Sequence, residues 1–368
     1  MRIIFTGGGT GGHIYPALAL AAALKETDNH SILFVGTKKG MEKDIVPQAG
    51  YQLETITVSG LERKLSLRTF RTFTQLGMGL WQAWSIIRRF RPQIVVGTGG
   101  YVSVPLVLLA AWLKIPTLIH EQNALPGAAN RFLSRFAQAV AISYAGSKGY
   151  FPRAKRLIVT GNPVRKEVLQ LTREEGRKTL GIAADKKVVL VFGGSRGARP
   201  INEAVMAAIP ALSSSSELVV YYITGPGDYK YVCSSLHLGI EEHRIGNIII
   251  KPYLHDMPAA LAAADLVVSR AGATTLAELT ARGIPAILIP SPYVTDNHQE
   301  HNARLLEKAG AAVLIREREL KGEYLAESIL NLVSDPLRLA QMAEASFSLG
   351  RRGAREELLA LVRELVKE

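Results

Sequence analysis

The chain opens on an apolar run, Ile3-Ile4-Phe5, that leads into Thr6-Gly7-Gly8-Gly9-Thr10-Gly11-Gly12-His13 and then into a helix-compatible stretch, Pro16 to Leu24. This feature constrains the fold most. Glycines at that density let the backbone turn sharply between a strand and a helix and approach a ligand closely. The N–H groups that start the following helix then face whatever sits above the loop, a geometry that suits a phosphate. The plan recurs where Val188-Val189-Leu190-Val191-Phe192 leads into Gly193-Gly194-Ser195-Arg196-Gly197-Ala198. Two such starts predict two Rossmann-like, doubly wound α/β domains in tandem, and 368 residues are enough for two.

Short β-rich runs alternate with helical patterns throughout, which predicts parallel sheets with helices on both faces. The expected strands are 2–6, 31–35, 93–97, 117–120 and 157–160, then 187–192, 218–223, 248–251, 266–269, 286–289 and 312–315. Gly161-Asn162-Pro163 marks a boundary, since proline disfavours helix before it and glycine allows a hinge. We therefore expect an N-terminal domain over 1–162, a C-terminal domain over 163–344, and a last helix over about 345–368 that packs back on the first. In doubly wound sheets ligands bind at the C-terminal ends of the strands, so the loops of two facing domains would enclose a cleft.

A single cysteine, Cys233, excludes a disulfide framework and fits a reducing compartment. The apolar start is too short for a signal peptide, and Tyr101 to Leu113 is too short to span a bilayer. These features predict a soluble, cytoplasmic protein. The net charge of +12 then asks for an anionic partner. Between Gly60 and Arg91, Arg63, Lys64, Arg68, Arg71, Arg88, Arg89 and Arg91 face one acid, Glu62, and are interleaved with Leu65, Phe70, Phe73, Trp81 and Trp84. That pattern suits an anionic lipid surface, although a core-facing amphipathic helix with solvated arginines would read the same way. No nucleic-acid motif accompanies the charge.

Gly7-x-Gly9-x-x-Gly12 matches the dinucleotide fingerprint, but no acid ends the second strand to hold a ribose. Val35-Gly36-Thr37-Lys38-Lys39 opposes NAD, while its lysines would suit NADP. The second glycine loop offers Ser195 as a hydroxyl donor and Arg196 or Arg199 as charge, without the Gly-Lys-Ser/Thr ending of a P-loop. A third corner runs from Ser269 through Gly272 to Glu278, whose carboxylate either complements the helix dipole or accepts two vicinal hydroxyls. His120-Glu121-Gln122-Asn123 follows an apolar strand, and Asp296 to Asn302 gathers amides and imidazoles suited to sugar hydroxyls. Metal-ligand spacing is lacking there.

Taken in order, these motifs span nearly the whole chain. With Gly99-Gly100-Tyr101 and Gly161-Asn162-Pro163-Val164-Arg165 they resemble the UDP-N-acetylglucosamine–lipid I N-acetylglucosaminyltransferases of bacterial peptidoglycan synthesis. The resemblance implies a GT-B glycosyltransferase of two Rossmann-like domains facing a cleft, working without a cofactor or metal. It implies that Leu254 lies beside the uracil, that Glu278 takes the ribose hydroxyls, that Ser195 contacts the pyrophosphate and that Arg165 touches the nucleotide. Asn123, Ala273, Thr274 and Gln299 would address the N-acetylglucosamine, with Thr275, Leu276, Ala277, His298 and Asn302 beside them. Thr10, Gly11 and Gly12 would close over the sugar and diphosphate. Arg196 and His298 stand where that family often carries glutamine.

The implied reaction is attack by the C4 hydroxyl of lipid-linked N-acetylmuramic acid on the anomeric carbon of UDP-α-N-acetylglucosamine, with inversion and loss of UDP. The attacking hydroxyl needs a base near neutral pH; His13 is the first candidate and Glu121 the second. The undecaprenyl acceptor implies a peripheral enzyme at the cytoplasmic face of the cell membrane. Leu65, Phe70, Phe73 and Trp81 would touch the anionic inner-membrane surface, with cell-wall and division machinery as partners and no nucleic acid. Three other readings stay open at this point: a UDP-N-acetylglucosamine 2-epimerase or a transferase with another acceptor, an NADP-dependent reductase, and a non-catalytic nucleotide-binding regulator.

Overall fold

The computed structural model describes residues 1–59, 67–239 and 243–367, with the side chains of 67–73 and 76 outside the description. It divides into two compact units, Met1–Val164 with Arg351–Glu368, and Arg165–Gly350.

In the first unit the elements run β1 (Arg2–Gly7), α1 (Gly11–Thr27), β2 (Ser31–Gly36), α2 (Glu42–Gln48), β3 (Gln52–Thr55), α3 (Leu67–Phe90), β4 (Ile94–Gly99), α4 (Ser103–Trp112), β5 (Thr117–Glu121), α5 (Ala128–Leu133), β6 (Ala139–Ile142) and β7 (Leu157–Val159). The strands form one parallel sheet in the order β3-β2-β1-β4-β5-β6-β7. Its inner strands are continuous apolar runs because both faces are covered, and all six residues of β4 are buried. Register is fixed by pairs such as Phe5 with Phe34, whose rings stack at 5.2 Å.

The second unit runs α6 (Lys166–Gln170), α7 (Arg173–Leu180), β8 (Lys187–Phe192), α8 (Arg199–Ser213), β9 (Leu218–Ile223), α9 (Tyr229–Ser235), β10 (Arg244–Ile245), β11 (Ile248–Lys251), α10 (Met257–Ala263), β12 (Leu266–Ser269), α11 (Ala273–Arg282), β13 (Ala286–Leu288), α12 (His298–Lys308), β14 (Ala312–Leu314), α13 (Gly322–Val333) and α14 (Pro336–Leu349). Its sheet order is β10-β11-β9-β8-β12-β13-β14, with β10 alone antiparallel. The last helix, α15 (Ala354–Lys367), belongs to the first unit. Its Leu358, Leu361, Val362 and Leu365 join the core formed by β1 and α1. Each such fully buried side chain contributes about 1.5–3 kcal/mol. Arg156 clamps Glu364 with two bonds of 2.8 Å, and Arg355 pairs with Glu26.

The two order reversals decide where ligands go. The sheet direction switches between β1 and β4 in the first unit and between β8 and β12 in the second. Loops leaving the carboxyl ends of those strands line a crevice in each domain. They are the Gly7–Thr10, Gly99–Tyr101, Gly193–Ala198 and Arg270–Gly272 segments.

Three strands escape the sequence reading. β3 is the polar edge run Gln-Leu-Glu-Thr, β6 is four residues with two alanines, and β10 is two residues long. None carries a sustained β-branched pattern. The second unit also reaches further than 344, because α14 continues to Leu349 and Gly350 ends it.

Candidate active site

The loop after β1 is built by close backbone approach. A Cβ on Gly7 would lie 2.0 Å from Thr98 Oγ1, and one on Gly8 would lie 2.5 Å from Glu42 Oε1. Gly9 has φ +83°, a left-handed conformation that glycine adopts without strain. His13, in the first turn of α1, turns back onto this loop. Its Nδ1 lies 2.9 Å from the Gly8 carbonyl oxygen and 3.3 Å from Thr10 Oγ1. A carbonyl only accepts, so Nδ1 carries a proton, and in the neutral tautomer Nε2 holds the lone pair. The ring fits because the facing strand ends in glycine. A Cβ on Gly99 would lie 2.8 Å from His13 Cδ2 and 3.0 Å from Nε2.

Glu121, the second expected base, has a different position. It is 1% exposed, and its carboxylate accepts from Asn123 N (2.9 Å), Asn123 Nδ2 (3.3 Å), Gly127 N (3.0 Å) and Asn130 Nδ2 (2.9 Å). A carboxylate so enclosed and so fully bonded shapes the 122–127 loop, a position that favours His13 over Glu121 as the base. The same bonds show that Asn123 is held by its neighbour.

In the second unit, the loop after β8 presents Ser195 and Arg196 exposed above α8. Gly197 has φ +80°, and a Cβ there would lie 2.2 Å from the Thr224 carbonyl oxygen. The first residue of α8 follows Ala198, which caps with no side chain, so N–H groups at this helix start remain for an anion. Arg199 is committed elsewhere. It bonds Asp228 at 2.9 Å and lies 3.3 Å over the Tyr231 ring.

α11 starts in the same way after Gly272, with no side-chain cap. Thr274 Oγ1 is buried without a partner, as a hydroxyl reserved for a ligand would be. Glu278 is 7% exposed, and Arg165 reaches it with Nη2 at 2.8 Å and Nε at 3.0 Å, both on Oε1. Burial raises its carboxyl above the ordinary range, and the Arg165 guanidinium opposes the shift. Arg165 also lines a depression of about 650 Å³ with His255, Asp256 and Pro258, next in sequence to half-buried Leu254.

α12 follows a strained entry, with Asp296 and Asn297 at φ +52° and +50°. Glu300 holds it. Bonds from Asn297 and Arg304, with Arg316 behind them, pull its carboxyl down to about 2. Gln299 Oε1 accepts from Ser291 N at 2.9 Å, which leaves the Nε2 amide as its donor group. His298 Nδ1 donates to the Thr295 carbonyl at 2.8 Å.

Two expected contact residues point inward. Leu276 is fully buried and its N–H bonds the Gly272 carbonyl at 2.9 Å. Asn302 is fully buried and its Nδ2 holds the Ala271 carbonyl at 3.3 Å. Both side chains are buried in the α11 corner. Ala273 is 4% exposed and offers only backbone, while Thr275 and Ala277 are half-buried.

Of the lipid-contact residues, Leu65 lies outside the described residues, and the side chains of Phe70 and Phe73 on α3 do too. Trp81 is 67% exposed, Arg88 stacks 5.0 Å over the Trp84 ring, and Trp112 at the end of α4 is 81% exposed. The sequence reading missed Trp112 because it closes an apolar run that reads as core. Among the described residues no helix is long and apolar enough to cross a membrane.

Comparison with known proteins agrees with this layout. Residues 3–142 match the glycosyltransferase family 28 N-terminal domain and residues 188–358 its C-terminal domain. A relative from Desulforamulus reducens, named as a UDP-N-acetylglucosamine--N-acetylmuramyl-(pentapeptide) pyrophosphoryl-undecaprenol N-acetylglucosamine transferase, is 48% identical across all of this chain and 99% of its own length. The solved structure of Acinetobacter baumannii MurG superposes with a TM-score of 0.77 at 27% identity, covering 99% of both chains. A UDP-GlcNAc 2-epimerase from Neisseria meningitidis shares the fold, with a TM-score of 0.64 at 15% identity over 99% of this chain and 100% of its own. Both units are therefore halves of a GT-B glycosyltransferase fold, and the chain belongs to glycosyltransferase family 28, among the N-acetylglucosaminyltransferases that carry the Desulforamulus relative's name.

Proposed function

We infer that this chain transfers N-acetylglucosamine from UDP-N-acetylglucosamine to the C4 hydroxyl of N-acetylmuramic acid in undecaprenyl-pyrophosphoryl-N-acetylmuramyl-pentapeptide, releasing UDP. The observation that carries the transferase over the epimerase is the relation at 48% identity along the full chain to a transferase of that name, against 15% for the epimerase.

The chemistry follows from the groups described. The acceptor O4–H gives its proton to His13 Nε2 as O4 bonds the anomeric carbon. The bond from that carbon to the β-phosphate oxygen breaks on the opposite face, so configuration inverts. The Nδ1–H bond to Gly8 supports this role, because in the neutral ring it leaves the lone pair on Nε2 and fixes where that nitrogen points. Charge building on the leaving diphosphate meets the uncapped start of α8 and Ser195. Glu278 accepts the ribose hydroxyls with Arg165 beside it, and Leu254 lies against the uracil. Thr274, Gln299 and Asn123 address the sugar, with Thr10, Gly11 and Gly12 over it.

The acceptor's lipid tail places the enzyme at the cytoplasmic face of the membrane as a peripheral protein. Trp81 and Trp112, with Leu65, Phe70 and Phe73 and the arginines around them, form the contact with anionic lipid. Contacts with cell-wall and division machinery belong to the same setting.

UDP release from UDP-N-acetylglucosamine, measured with and without a lipid I analogue in detergent, tests the assignment. Release only with the acceptor is expected. Release without it would overturn the transferase reading in favour of epimerase- or hydrolase-like chemistry.

A further inference from the structure

Glu42 is a buried acid that the reaction as described does not use. It starts α2, is 1% exposed, and was invisible to motif reading. Its Oε1 accepts from Thr37 N at 2.8 Å and Thr37 Oγ1 at 2.7 Å. Its Oε2 reaches across to Gly9 N at 3.0 Å. The surrounding chain is cut to fit it. A Cβ on Gly8, Gly36 or Gly40 would come within 2.5, 2.4 or 2.1 Å of Glu42 atoms. A buried carboxylate is costly, and a neutral side chain would serve Thr37 as well. The second oxygen is what distinguishes Glu42, and it is spent on the glycine loop.

The group it holds is one end of a single peptide. Gly9 N–H and Gly8 C=O share the planar, trans peptide that joins the two residues. Glu42 takes the N–H end, and His13 Nδ1 bonds the C=O end at 2.9 Å. Pinning one end of a rigid plane aims the other. An anion accepting the N–H also polarises the carbonyl, which strengthens the bond it accepts. The result is a carboxylate acting on an imidazole with a peptide between them.

We propose that Glu42 is the positioning residue of His13, acting through the Gly8–Gly9 peptide to lock the Nδ1–H tautomer and aim Nε2. The proposal rests on the reading of His13 as the base for its effect on turnover. Its effect on the tautomer stands apart from that reading.

The test uses the full chain. Glu42→Gln keeps the shape but removes the charge, so Gly9 N–H faces either a neutral amide oxygen or an NH₂ group, and the anionic polarisation of the Gly8–Gly9 peptide is lost in both orientations. Thr37→Val removes one bond to the same carboxylate and leaves the Gly9 link. Turnover and donor Michaelis constant are measured with the lipid I analogue, folding by thermal melting, and the His13 tautomer by ¹⁵N NMR with His13→Gln as the assignment control. In the native protein the His13 nitrogens are expected to report a proton on Nδ1. Glu42→Gln is expected to lower kcat by about 10- to 100-fold, the scale of a small misplacement of a catalytic group. The donor KM should stay within about threefold while the His13 signals move towards mixed tautomers. Thr37→Val should keep kcat within about threefold and the native tautomer. A Glu42→Gln protein that melts as the native one and keeps a locked Nδ1–H tautomer would overturn the proposal. So would equal losses in Glu42→Gln and Thr37→Val. If His13→Ala itself turns over normally, the base reading fails, and the Glu42→Gln tautomer alone then decides whether Glu42 controls the ring.

Discussion

Arg165 meets Glu278 through one carboxylate oxygen only, with Nη2 and Nε both on Oε1 at 2.8 and 3.0 Å. The second oxygen takes no bond from Arg165, and under the proposed ribose role it is the one that would accept hydroxyls. Glu278→Ala should raise the donor KM by about 10- to 100-fold, the scale of one charged hydrogen-bond partner lost, with kcat within about threefold. Because burial raises the carboxyl above its ordinary range, it gains a proton before a solvent-exposed glutamate does. Under the proposed ribose role the ionised form accepts the hydroxyls, so the native donor KM should climb as pH falls through the region above 4.5. Glu278→Gln should be flat there. A native KM that stays constant over that range would refute the ribose role.

His13→Ala removes the group whose Nε2 lone pair is fixed by the Gly8 bond. General bases contribute about 10²–10⁴-fold, so kcat should fall by that much. UDP affinity, read by calorimetry, should stay within about threefold, since the nucleotide contacts proposed above lie on α8, α11 and Arg165. A large loss of UDP affinity with turnover nearly intact would sink the base role.

Both domains and most of the site's loops were legible because their signals are local. The runs ending at Phe5 and Phe192 are strands bounded by glycine, and that suffices to place two switch points. What was hidden depends on packing. Glycines at 8, 36 and 40 look like phosphate-loop glycines, yet they make room for the Glu42 carboxylate. Glu121 carries the same chemistry as a base, and only its four donors show how it ties down the 122–127 loop. Leu276 could have been found. It stands three residues before the buried Leu279 on one helix face, and that period marks core. Asn302 could not, because a buried amide and a sugar-binding amide read alike.

His120 links stability to pH. Its ring is 1% exposed, Nε2 donates to the Gly161 carbonyl at 3.0 Å, and Nδ1 accepts from Gln122 at 3.2 Å. Burial lowers its pKa below 6.5, with smaller opposing contributions from the Gly161 bond and Glu121. The folded ring stays neutral where the unfolded one gains a proton. Stability is therefore intact above about 6.5 and declines as pH falls below it, by up to about 1.4 kcal/mol per pH unit for one proton. His30, also lowered chiefly by burial, adds a like dependence. His120→Gln should lower Tm at pH 7.5 and flatten, but not abolish, the decline towards pH 5. Parallel Tm curves for native and variant protein would show that His120 takes up its proton inside the fold.

Exposure of Trp81 and Trp112 together with the charge of α3 sets the last expectation. Near a surface each arginine adds about 1 kcal/mol of attraction to anionic lipid, an attraction that salt screens, while an inserted aromatic ring adds a salt-independent share. Flotation with vesicles rich in anionic lipid should therefore be strong at low salt, weaker at high salt, and weak with neutral vesicles. Trp81→Ala with Phe70→Ala and Phe73→Ala should lower binding at every salt concentration, whereas Arg68→Gln with Arg71→Gln should lower it mainly at low salt. Activity on a water-soluble acceptor analogue should stay near native in both, because none of these residues belongs to the proposed donor site or base. Flotation that ignores both lipid charge and the aromatic substitutions would remove the membrane role from this face and return α3 to an ordinary solvated helix.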